Sequence, residues 1–404
     1  MTRPWLHIVG IGEAGLNSLN TEALNILYEA DAIVGGERHH QLVHALEGEK
    51  IVWPSPFSTL KNELAKFRPK TVVVLVTGDP LWYSAGSKLA LEWPAEEIQY
   101  YPQISAFQLA CARMKWSIPD VETLTIHGRP ASHIIPYLAP NNKLVLLTTD
   151  NTSPSTVAHI LNERGYNSSE LTVFGAMGSA CEVVIQGRAG SWEKTEAANT
   201  IPNFHTLCVL CKPQTDHVII SKGPGLPDHV FLNDRNFTKC EVRAITVAAL
   251  APFRIKVLWD LGCGSGTVGI EWARLSFEGS VYATEKNQTR YDISCQNAER
   301  LGTPRFKVHK GFNKDLINQF PDPDSVFIGG GLDIDLVTQC IDRLKPYGRL
   351  VINSVTLESQ VLLVNLYKQF GGELIQIAIA RVKPVGSFLG WDQHQPVIQW
   401  RFGK

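Results

Sequence analysis

A glycine-rich loop in the second half of the chain is the strongest chemical feature of the sequence. Gly262, Gly264 and Gly266 follow the apolar run KVLWDL and precede the helical pattern TVGIEWARL. Glycines let a strand turn sharply into a helix and let the backbone approach a ligand, and helix N-terminal amides favour carboxylate or phosphate. Glu285 ends the next strand, 19 residues beyond Gly266, where a carboxylate can accept hydrogen bonds from ribose hydroxyls. The pattern predicts an adenosine-type cofactor at the carboxyl ends of the strands.

The spacing of these glycines separates two classes of cofactor. A dinucleotide site has the form G-x-G-x-x-G, but Thr267 stands one residue beyond the last glycine, where that form would place its third. The loop instead has the form G-x-G-x-G that is used for S-adenosylmethionine (SAM). We therefore expect SAM as the cofactor. A loop that only connects a strand to a helix is the alternative.

The end of the fourth strand of this half bears on the substrate. Many methyltransferases that act on amide or base nitrogens have an Asn/Asp-Pro-Pro-aromatic clamp there, whereas this chain has Gly329, Gly330 and Gly331. Three glycines supply space and backbone amides but no side chain that could hold a planar amino group. We expect a bulky substrate and a nucleophile other than an exocyclic nitrogen.

Two glycine-containing turns mark the first half. Gly10, Gly12 and Gly15 follow an N-terminal apolar run, which alone is a weak dinucleotide pattern. The buried run TVVVLV ends at the turn 77–80 (Thr-Gly-Asp-Pro), which places a carboxylate and free amides at a sheet edge. An ordinary type I turn is the alternative for this second feature.

The order of predicted elements gives an α/β protein of two domains. The first half alternates strands and helices and then, over residues 169–212, becomes strand-rich, which indicates a mixed sheet. A segment rich in proline and glycine, 213–228, separates the halves, so we predict domains 1–214 and 215–404. Five βα units followed by two strands predict a mostly parallel, seven-stranded, doubly wound sheet with an antiparallel terminal hairpin. Thr238 and Glu241 fit a capping box before the first helix of the second domain.

Composition and charge exclude several function classes. The 404 residues contain 38 Lys and Arg against 39 Asp and Glu, so the chain has no excess of positive charge with which to bind a polyanion. Sixteen basic and 20 acidic residues precede residue 215, against 22 and 19 after it, so the halves carry −4 and +3, a weak hint of an acidic ligand in the second half. The apolar runs are too short to span a membrane and the start has no signal-peptide pattern, so we expect a cytoplasmic protein. We read Cys208 and Cys211 as core residues rather than metal ligands.

Both halves resemble known domain families. The segments VGIGEAG, TGDPLWYSAG, PQISAFQLACAR and LTTDNTSPS make the first half similar to the tetrapyrrole (corrin and porphyrin) methylases. The segments GPGLPD, TKCEVRA, LGCGSGTVGIEWAR and FIGGG make the second half similar to the decarboxylating precorrin methyltransferase domain. The resemblance covers nearly the whole chain. It implies a two-lobed α/β tetrapyrrole methylase-like domain followed by a Rossmann-like class I SAM methyltransferase domain.

The resemblance also implies SAM-binding residues in both domains. In the first domain these are Gly10, Gly12, Gly78, Asp79, Pro80, Tyr83, Ser84, Ser105 and Ala106. In the second they are Thr238, Gly262, Cys263, Gly264, Ser265, Gly266, Glu285, Phe312 and Asn313. The stretch 311–314 reads Gly-Phe-Asn-Lys where relatives usually have Gly-Asp-Ala-Pro or similar near the adenine. Two roles for Phe312 therefore stay open, stacking on the base and filling the core.

The implied reaction is C-methylation of a precorrin at meso carbons 5 and 15 with loss of carbon dioxide from a ring acetate. This is a step of cobalamin biosynthesis, from precorrin-6B to precorrin-8X. We expect the first domain to methylate carbon 5 and the second to methylate carbon 15 and decarboxylate. The reduced macrocycle supplies the carbon nucleophile, so no side chain is assigned as catalytic.

The substrate carboxylates need cations, and Lys222, Lys239 and Arg243 lie beside the expected site, with solvated surface charge as the alternative for each. Gly329 and Gly330 are expected to border the substrate. A homo-oligomer is expected because relatives of both halves self-associate, and neither nucleic acid nor membrane is expected as a partner.

Two other functions stay open at this stage. The folds also host RNA and protein methyltransferases, although the near-neutral charge and the missing proline clamp argue against them. A SAM-binding protein without turnover is the second alternative. We expect no metal, because His40 and His44 have ligand spacing but no third ligand, and the pair His39 and His40 is interpreted as solvated surface.

Overall fold

The computed structural model describes residues 4–194, 200–215 and 219–404. These residues form two compact units, one of residues 4–131 and 140–215 and the other of residues 132–139 and 219–404. The domain limits at 214 and 215 stay a prediction, and residues 216–218 of the segment between the halves lie outside the described residues.

The first lobe of the first unit is a parallel sheet with short helices. Its elements are β1 (Leu6–Ile11), α1 (Thr21–Tyr28), β2 (Ala32–Gly35), α2 (Glu37–Leu42), β3 (Glu49–Val52), α3 (Leu60–Ala65), β4 (Val72–Thr77), α4 (Ala85–Leu89) and β5 (Ile98–Tyr101). The strand order is β3-β2-β4-β1-β5 and every pair is parallel. β1 and β4 are buried along almost their whole length, as strands covered on both faces must be. Their carboxyl ends therefore meet at one edge.

The second lobe of the first unit is a mixed sheet, as the sequence predicts. Its elements are α5 (Ala106–Met114), β6 (Val121–Thr125), β7 (Lys143–Leu147), α6 (Ser153–Glu163), β8 (Glu170–Gly175), β9 (Val183–Arg188) and β10 (His205–Leu210). The order is β6-β7-β10-β8-β9, with β6 and β7 parallel and the other pairs antiparallel. Cys208 and Cys211 are both buried. The prediction of a two-lobed α/β domain is confirmed.

The second unit is a doubly wound sheet of seven strands. Its elements are α7 (Cys240–Ala249), β11 (Val257–Leu261), α8 (Thr267–Leu275), β12 (Ser280–Glu285), α9 (Gln288–Arg300), β13 (Phe306–Lys310), α10 (Asn313–Leu316), β14 (Ser325–Ile328), α11 (Ile334–Arg343), β15 (Arg349–Ser354), α12 (Leu357–Phe370), β16 (Glu373–Ile377) and β19 (Val397–Gly403). The order is β13-β12-β11-β14-β15-β19-β16, and β19 runs antiparallel to both of its neighbours. The predicted Rossmann-like architecture is confirmed. No helix among the described residues is long and apolar enough to cross a membrane.

A second hairpin interrupts the predicted terminal one. The sequence predicts two strands after α12, but β17 (Ala380–Val385) and β18 (Phe388–Gln393) form a separate two-stranded sheet between β16 and β19. The run ELIQIAIARVKPV divides after Ile377, because only its first five residues pair with β19. Because β19 runs antiparallel to β15 and β16, the residues just before it lie at the carboxyl edge of the parallel strands.

The start of α7 differs from the predicted capping box. Lys239 holds the N-cap position and no side chain caps the helix. The Glu241 carboxylate instead accepts two hydrogen bonds from Arg381 of β17, at 2.9 and 2.6 Å. The Arg381 guanidinium lowers the pKa of Glu241 to about 2. Glu241 therefore ties the inserted hairpin to α7 rather than capping the helix.

Arg243 is a buried structural residue, which corrects its prediction as a substrate-binding cation. Its side chain is fully buried, and its guanidinium donates to the Glu271 carboxylate and to the carbonyls of Leu226 and Thr238. The Glu271 carboxylate also accepts from the amides of Gly225 and Leu226, at 2.7 and 2.9 Å. A buried charge needs such partners. The pair fixes the segment before α7 on α8 and leaves no charge for a ligand.

We expect the substitution Arg243→Met to lower the free energy of unfolding of the second unit by about 3–5 kcal/mol, because it leaves Glu271 ionised and buried without its cation. Urea unfolding monitored by tryptophan fluorescence measures the change. The control is Arg305→Met, which removes the partially exposed partner of Glu278 and should change stability by less than about 1 kcal/mol. Equal effects of the two substitutions would contradict the assignment.

Candidate functional site

A cavity of about 880 Å³ lies along the carboxyl edge of the seven-stranded sheet. This volume falls within the range of about 300–1,000 Å³ that ligand and cofactor sites occupy. Most of the residues predicted for the second domain line it. They are Thr238, Lys239, Gly262, Cys263, Gly264, Ser265, Glu285, Phe312, Asn313, Gly329 and Gly330.

The lining follows the strand order. The ends of β13, β12 and β11 contribute residues 311–315, Glu285 and the glycine loop, β14 contributes 329–331, and β15 and β19 contribute Asn353 and Val397. Neighbouring strands are about 4.8 Å apart, so the edge from β13 to β19 spans roughly 24 Å. The cavity thus has a cofactor end at β11–β13 and a second end at β14–β19.

The loop glycines have different roles. Gly262, Gly264 and Gly266 all have left-handed φ, at +68°, +58° and +76°. A Cβ at Gly262 would lie 2.7 Å from the Gly330 carbonyl oxygen, and one at Gly266 would lie 2.9 Å from the Phe306 ring. A Cβ at Gly264 would meet no protein atom within 4 Å. Gly264 therefore leaves space for a ligand, whereas Gly266 does not line the cavity and shapes the turn.

Glu285 is placed to hold both the loop and a ligand. Its carboxylate accepts from the amides of Gly264 and Asn287, at 2.9 and 2.8 Å. A carboxylate has about four lone-pair sites, so two bonds leave capacity for ligand hydroxyls. The same acid thus orients the glycine loop and can accept from a ribose.

Asn313 joins the ends of three strands. The Thr284 hydroxyl donates to Asn313 Oδ1 at 2.6 Å and accepts from the Gly262 amide at 3.1 Å. Asn313 Nδ2 donates to the Gly330 carbonyl at 3.0 Å. The Asn313 amide is therefore engaged mainly within the protein, and the side chain positions the loops. The sequence reasoning missed Thr284, whose only signal is its place beside Glu285 at the end of a buried strand.

Phe312 lines the cofactor end of the cavity, and Asp260 is buried at the end of β11, outside the lining. The Phe312 ring is 63% exposed and lines the cavity, which excludes the core-filling role and leaves a face for stacking. Asp260, two residues before Gly262, was also missed. Its Oδ2 accepts from the Gly269 amide, while its Oδ1 and the Ser265 hydroxyl are buried without a partner among the described residues. Burial raises the pKa of Asp260 to about 7, although the Gly269 amide opposes the shift.

The two lysines predicted to bind substrate are placed differently. Lys239 lines the cavity, with its Nζ 3.7 Å from the centroid of the Phe237 ring. Lys222 does not line it and lies 4.1 Å from the centroid of the Tyr137 ring. Thr238 lines the cavity, while its carbonyl accepts from Arg243. Lys286 and Arg235 are further cations of the lining that the sequence reasoning did not select.

The glycine turns of the first unit converge at the edge of its parallel sheet. A Cβ at Gly10 would lie 2.0 Å from the Gly78 carbonyl, and one at Gly78 would lie 3.0 Å from Ser105 Cα. A cavity of about 30 Å³ at this edge is lined by Gly12, Gly78 and Ala106, among other residues. This space is about a tenth of the lower limit for ligand sites.

The remaining predicted residues of the first unit make local contacts. The Asp79 carboxylate accepts from the Leu81 amide, in the manner of an ordinary turn, with Pro80 buried between them. Ser84 and Ser105 cap α4 and α5. The Tyr83 hydroxyl donates to the Thr123 carbonyl, and neither Tyr83 nor Ser84 lines the small cavity.

A polar cluster beside the Gly78 turn was also missed. The Gly36 amide donates to His39 Nδ1 at 3.1 Å, so His39 Nε2 carries the ring proton and donates to the Thr77 hydroxyl at 2.9 Å. Arg38 donates to the same hydroxyl and pairs with Glu13. Burial lowers the pKa of His39 to about 4, and Arg38 and His40 act in the same direction. The interpretation of His39 as solvated surface is wrong.

His40 of the same helix and His44, two residues beyond its end, bond to backbone. His40 Nε2 lies 3.0 Å from the Ile51 carbonyl oxygen, and His44 Nδ1 lies 2.9 Å from that of Gln41. Within the described ranges, no group of three His, Cys, Asp or Glu side chains could hold a metal ion.

The fold and the cavity define a methyltransferase built from two domains. A family described as "Tetrapyrrole (Corrin/Porphyrin) Methylases" matches residues 5–192, and one described as "Precorrin methyltransferase domain" matches residues 229–404. A "Precorrin-6Y C(5,15)-methyltransferase [decarboxylating]" from Sinorhizobium sp is 35% identical over 403 residues, covering 99% of this chain and 97% of the relative. The chain belongs to the family of decarboxylating precorrin-6Y C5,15-methyltransferases.

Two shorter relatives each match about half of the chain. A "Cobalt-precorrin-7 C(5)-methyltransferase" from Salmonella typhimurium is 34% identical over 205 residues, covering 51% of this chain and 98% of the relative. A "Probable cobalt-precorrin-6B C(15)-methyltransferase (decarboxylating)" from Pyrobaculum aerophilum is 32% identical over 182 residues, covering 43% of this chain and 93% of the relative.

The buried His39 gives the first unit a defined pH dependence. Its pKa is about 4 in the native state against 6.5 ordinarily, so the unfolded chain binds a proton at a higher pH than the native state does. The associated stability is complete above pH 6.5 and is lost as the pH falls toward 4, by at most about 3 kcal/mol. We expect His39→Gln to flatten the dependence of the free energy of unfolding on pH in this window. Urea unfolding at several pH values measures it.

The control is His44→Gln, which replaces an exposed histidine five residues further along the chain. It should leave the slope of stability against pH unchanged. If the free energy of unfolding of His39→Gln depended on pH as steeply as that of the wild type, the pH dependence would not come from His39.

Proposed function

We propose that the chain transfers methyl groups from SAM to carbons 5 and 15 of a precorrin and removes carbon dioxide from a ring acetate. The reaction belongs to corrin-ring biosynthesis for cobalamin and leads from precorrin-6B to precorrin-8X. The observation that carries the proposal is the cavity of about 880 Å³, which combines a G-x-G-x-G loop with a floor of three glycines. Both occur in a chain whose family carries this activity in its name.

The cofactor end of the second unit fits SAM. The bound cofactor would supply an electrophilic methyl group. Glu285 would accept from ribose hydroxyls, the exposed Phe312 ring would stack on adenine, and Gly264 would leave room beside the loop. The unpaired hydroxyl of Ser265, a residue of the cavity lining, is a polar group at the loop that a ligand could satisfy. These side chains would bind and orient the cofactor, and a bound ligand would exclude water from the carboxyl edge of the sheet.

In the first unit the space at the sheet edge measures about 30 Å³, and no residue there is given a step in the reaction. The SAM-binding role of Gly10, Gly12, Gly78 and Ala106 stays a proposal based on the resemblance. It is supported by the convergence of their turns at one sheet edge.

The second end of the large cavity suits a tetrapyrrole. Gly329, Gly330 and Gly331 present backbone only, so a wide, flat ring system can lie against them. A reduced tetrapyrrole brings its own carbon nucleophile and several carboxylates. Lys239, Lys286 and other cations of the lining would bind those carboxylates. A nucleic acid would need a broader basic surface than a chain of net charge −1 offers.

We assign carbon 15 and the decarboxylation to the second domain and carbon 5 to the first. The two half-length relatives carry these two activities in their names, on separate chains. Their names also imply an order of the two methylations, because the C15 enzyme is named for cobalt-precorrin-6B and the C5 enzyme for cobalt-precorrin-7. We propose a cytoplasmic location for the reaction, since the cysteines of the chain are unpaired, as in a reducing compartment.

Self-association through the inserted hairpin is part of the proposal. Val382 pairs with Trp391 and Pro384 with Leu389, so these four apolar side chains share one face of the two-stranded sheet. Val382, Leu389 and Trp391 are 59%, 76% and 71% exposed. Exposed apolar patches of this kind mark interfaces. A second copy would present the same face, and a twofold contact would bury both.

The central prediction is a product mass. We expect the full chain, given SAM and precorrin-6B, to yield a product that has gained two methyl groups and lost one carbon dioxide. In Gly264→Leu the new side chain enters the space left for the ligand, so C15 methylation and decarboxylation should fall at least about 100-fold. The variant should still methylate carbon 5 of an intermediate that is already decarboxylated and methylated at carbon 15.

Gly371→Leu is the matched control. Gly371 also has a left-handed φ, +73°, and open space around its Cβ position, but it lies outside the cavity lining. It should keep both methylations. If Gly264→Leu kept the C15 reaction, the cofactor assignment would be wrong, and competition of SAM binding by RNA would support the rival function.

We expect Leu389→Lys and Trp391→Lys to reduce the mass of the particle in solution, because each places a charge on the apolar face of the hairpin. Size-exclusion chromatography with light scattering measures the mass. Phe388→Lys alters the opposite face at a residue that is 79% exposed, and should leave the mass unchanged. A wild-type protein that is monomeric at micromolar concentration would refute self-association.

A further inference from the structure

We propose that His394 is the proton donor of the decarboxylation. The inference rests on the proposed function. His394 lies between the inserted hairpin and β19, three residues before Val397, and it lines the large cavity together with Gln395. It is the only histidine among the described residues that lines this cavity.

The strand order places His394 at the second end of the cavity. Along the edge, the glycine loop follows β11, the glycine floor follows β14, and His394 precedes β19, with β15 in between. At about 4.8 Å per strand, β19 lies roughly 10 Å from β14. A methyl donor at the loop and a proton donor at β19 would thus contact different parts of one bulky substrate. The methylated carbon would lie at the loop, and the side chain that loses carbon dioxide would lie at β19.

The backbone around His394 is hydrogen-bonded, whereas its imidazole ring is not. Its amide donates to the Ile379 carbonyl at 2.9 Å, and Gln395 Nε2 donates to the Val355 carbonyl at 3.0 Å. Beneath them, Asn353 bonds to Thr246 and Gln399 at 2.8 Å each. Neither ring nitrogen of His394 makes a hydrogen bond within the described residues. The imidazole is therefore held at the cavity and free to contact a ligand.

The other ionisable groups of the lining suit this step less well. Cys263 and Asp315 lie at the cofactor end, away from β19. Glu285 also lies there and accepts from two amides, and Asp333 accepts from the Leu336 amide and pairs with Lys314. Lysine and arginine hold their protons too tightly to be efficient acids near neutral pH. Imidazole is the side chain suited to proton transfer in this range.

The step balances without a further reactant. The bond between the carboxylate carbon and the side-chain methylene breaks, and its electron pair moves into a protonated, conjugated ring nitrogen as carbon dioxide leaves. The methylene carbon is then the end of an enamine. Carbon dioxide can add back to this carbon until the carbon is protonated. The carbon takes the proton from the His394 imidazolium and becomes a methyl group, which makes the loss of carbon dioxide irreversible. The ring returns to its cationic form, and solvent reprotonates the imidazole.

The test uses the full chain with SAM and precorrin-6B. We expect His394→Gln to slow decarboxylation at least about 100-fold, the lower range for a general acid, while C15 methylation continues. The diagnostic product has gained a methyl group and kept its carboxylate, as measured by mass. Free imidazole should restore carbon dioxide release to His394→Ala. His229→Gln, at an exposed site outside the lining, should behave as wild type.

Three results would overturn the inference. They are wild-type release of carbon dioxide from His394→Gln, parallel loss of methylation and decarboxylation in it, and failure of imidazole to rescue His394→Ala. If the wild-type chain neither methylates nor decarboxylates, the proposed function fails instead. The two failures are therefore distinguishable.

Discussion

The candidate site of the second unit depends on the contact between two backbone segments, at Gly262 and Gly330. A Cβ at Gly262 would lie 2.7 Å from the Gly330 carbonyl oxygen, so β11 and β14 can end side by side only without one. The Thr284 hydroxyl and the Asn313 amide then bond to the two segments from either side. Because the contact is made by backbone, the floor of the cavity carries no side chain. A flat, bulky ligand and a compact cofactor can therefore share one edge.

Several charged side chains of the second unit bond within the protein and are not available to a ligand. Arg243 pairs with Glu271, and Lys256 and Lys345 both pair with Asp324. The +3 charge of the second half is thus not a measure of how many cations face a substrate. The cations that do line the cavity, such as Lys239, gain their place because Arg243 fixes the start of α7. A buried ion pair here determines where surface charge is presented.

The sequence predicted the architecture well because the strand and helix periods and the glycine turns are local properties. It also selected Gly264, Glu285 and Phe312, whose places in the cavity lining follow from their distance along the chain from a strand end. It misjudged Arg243 and His39, because burial and partners depend on segments far away in sequence. Arg243 meets Glu271 on α8, and His39 meets the hydroxyl of Thr77 at the end of β4. Side-chain type alone cannot separate a paired charge from a free one.

Residues 394–397, at the second end of the cavity, are the part of the site that no local pattern could give. Residues 394–397 reach it only because β19 returns antiparallel between β15 and β16, after a hairpin that Arg381 holds against α7. A reversal of chain direction brings the start of a strand to the edge where five parallel strands end. The reaction needs two functions there, methyl transfer and protonation of a carbon some distance away. The parallel part of the sheet positions the first and the antiparallel part supplies the only imidazole among the described lining residues, so the mixed topology itself separates the two chemistries in space.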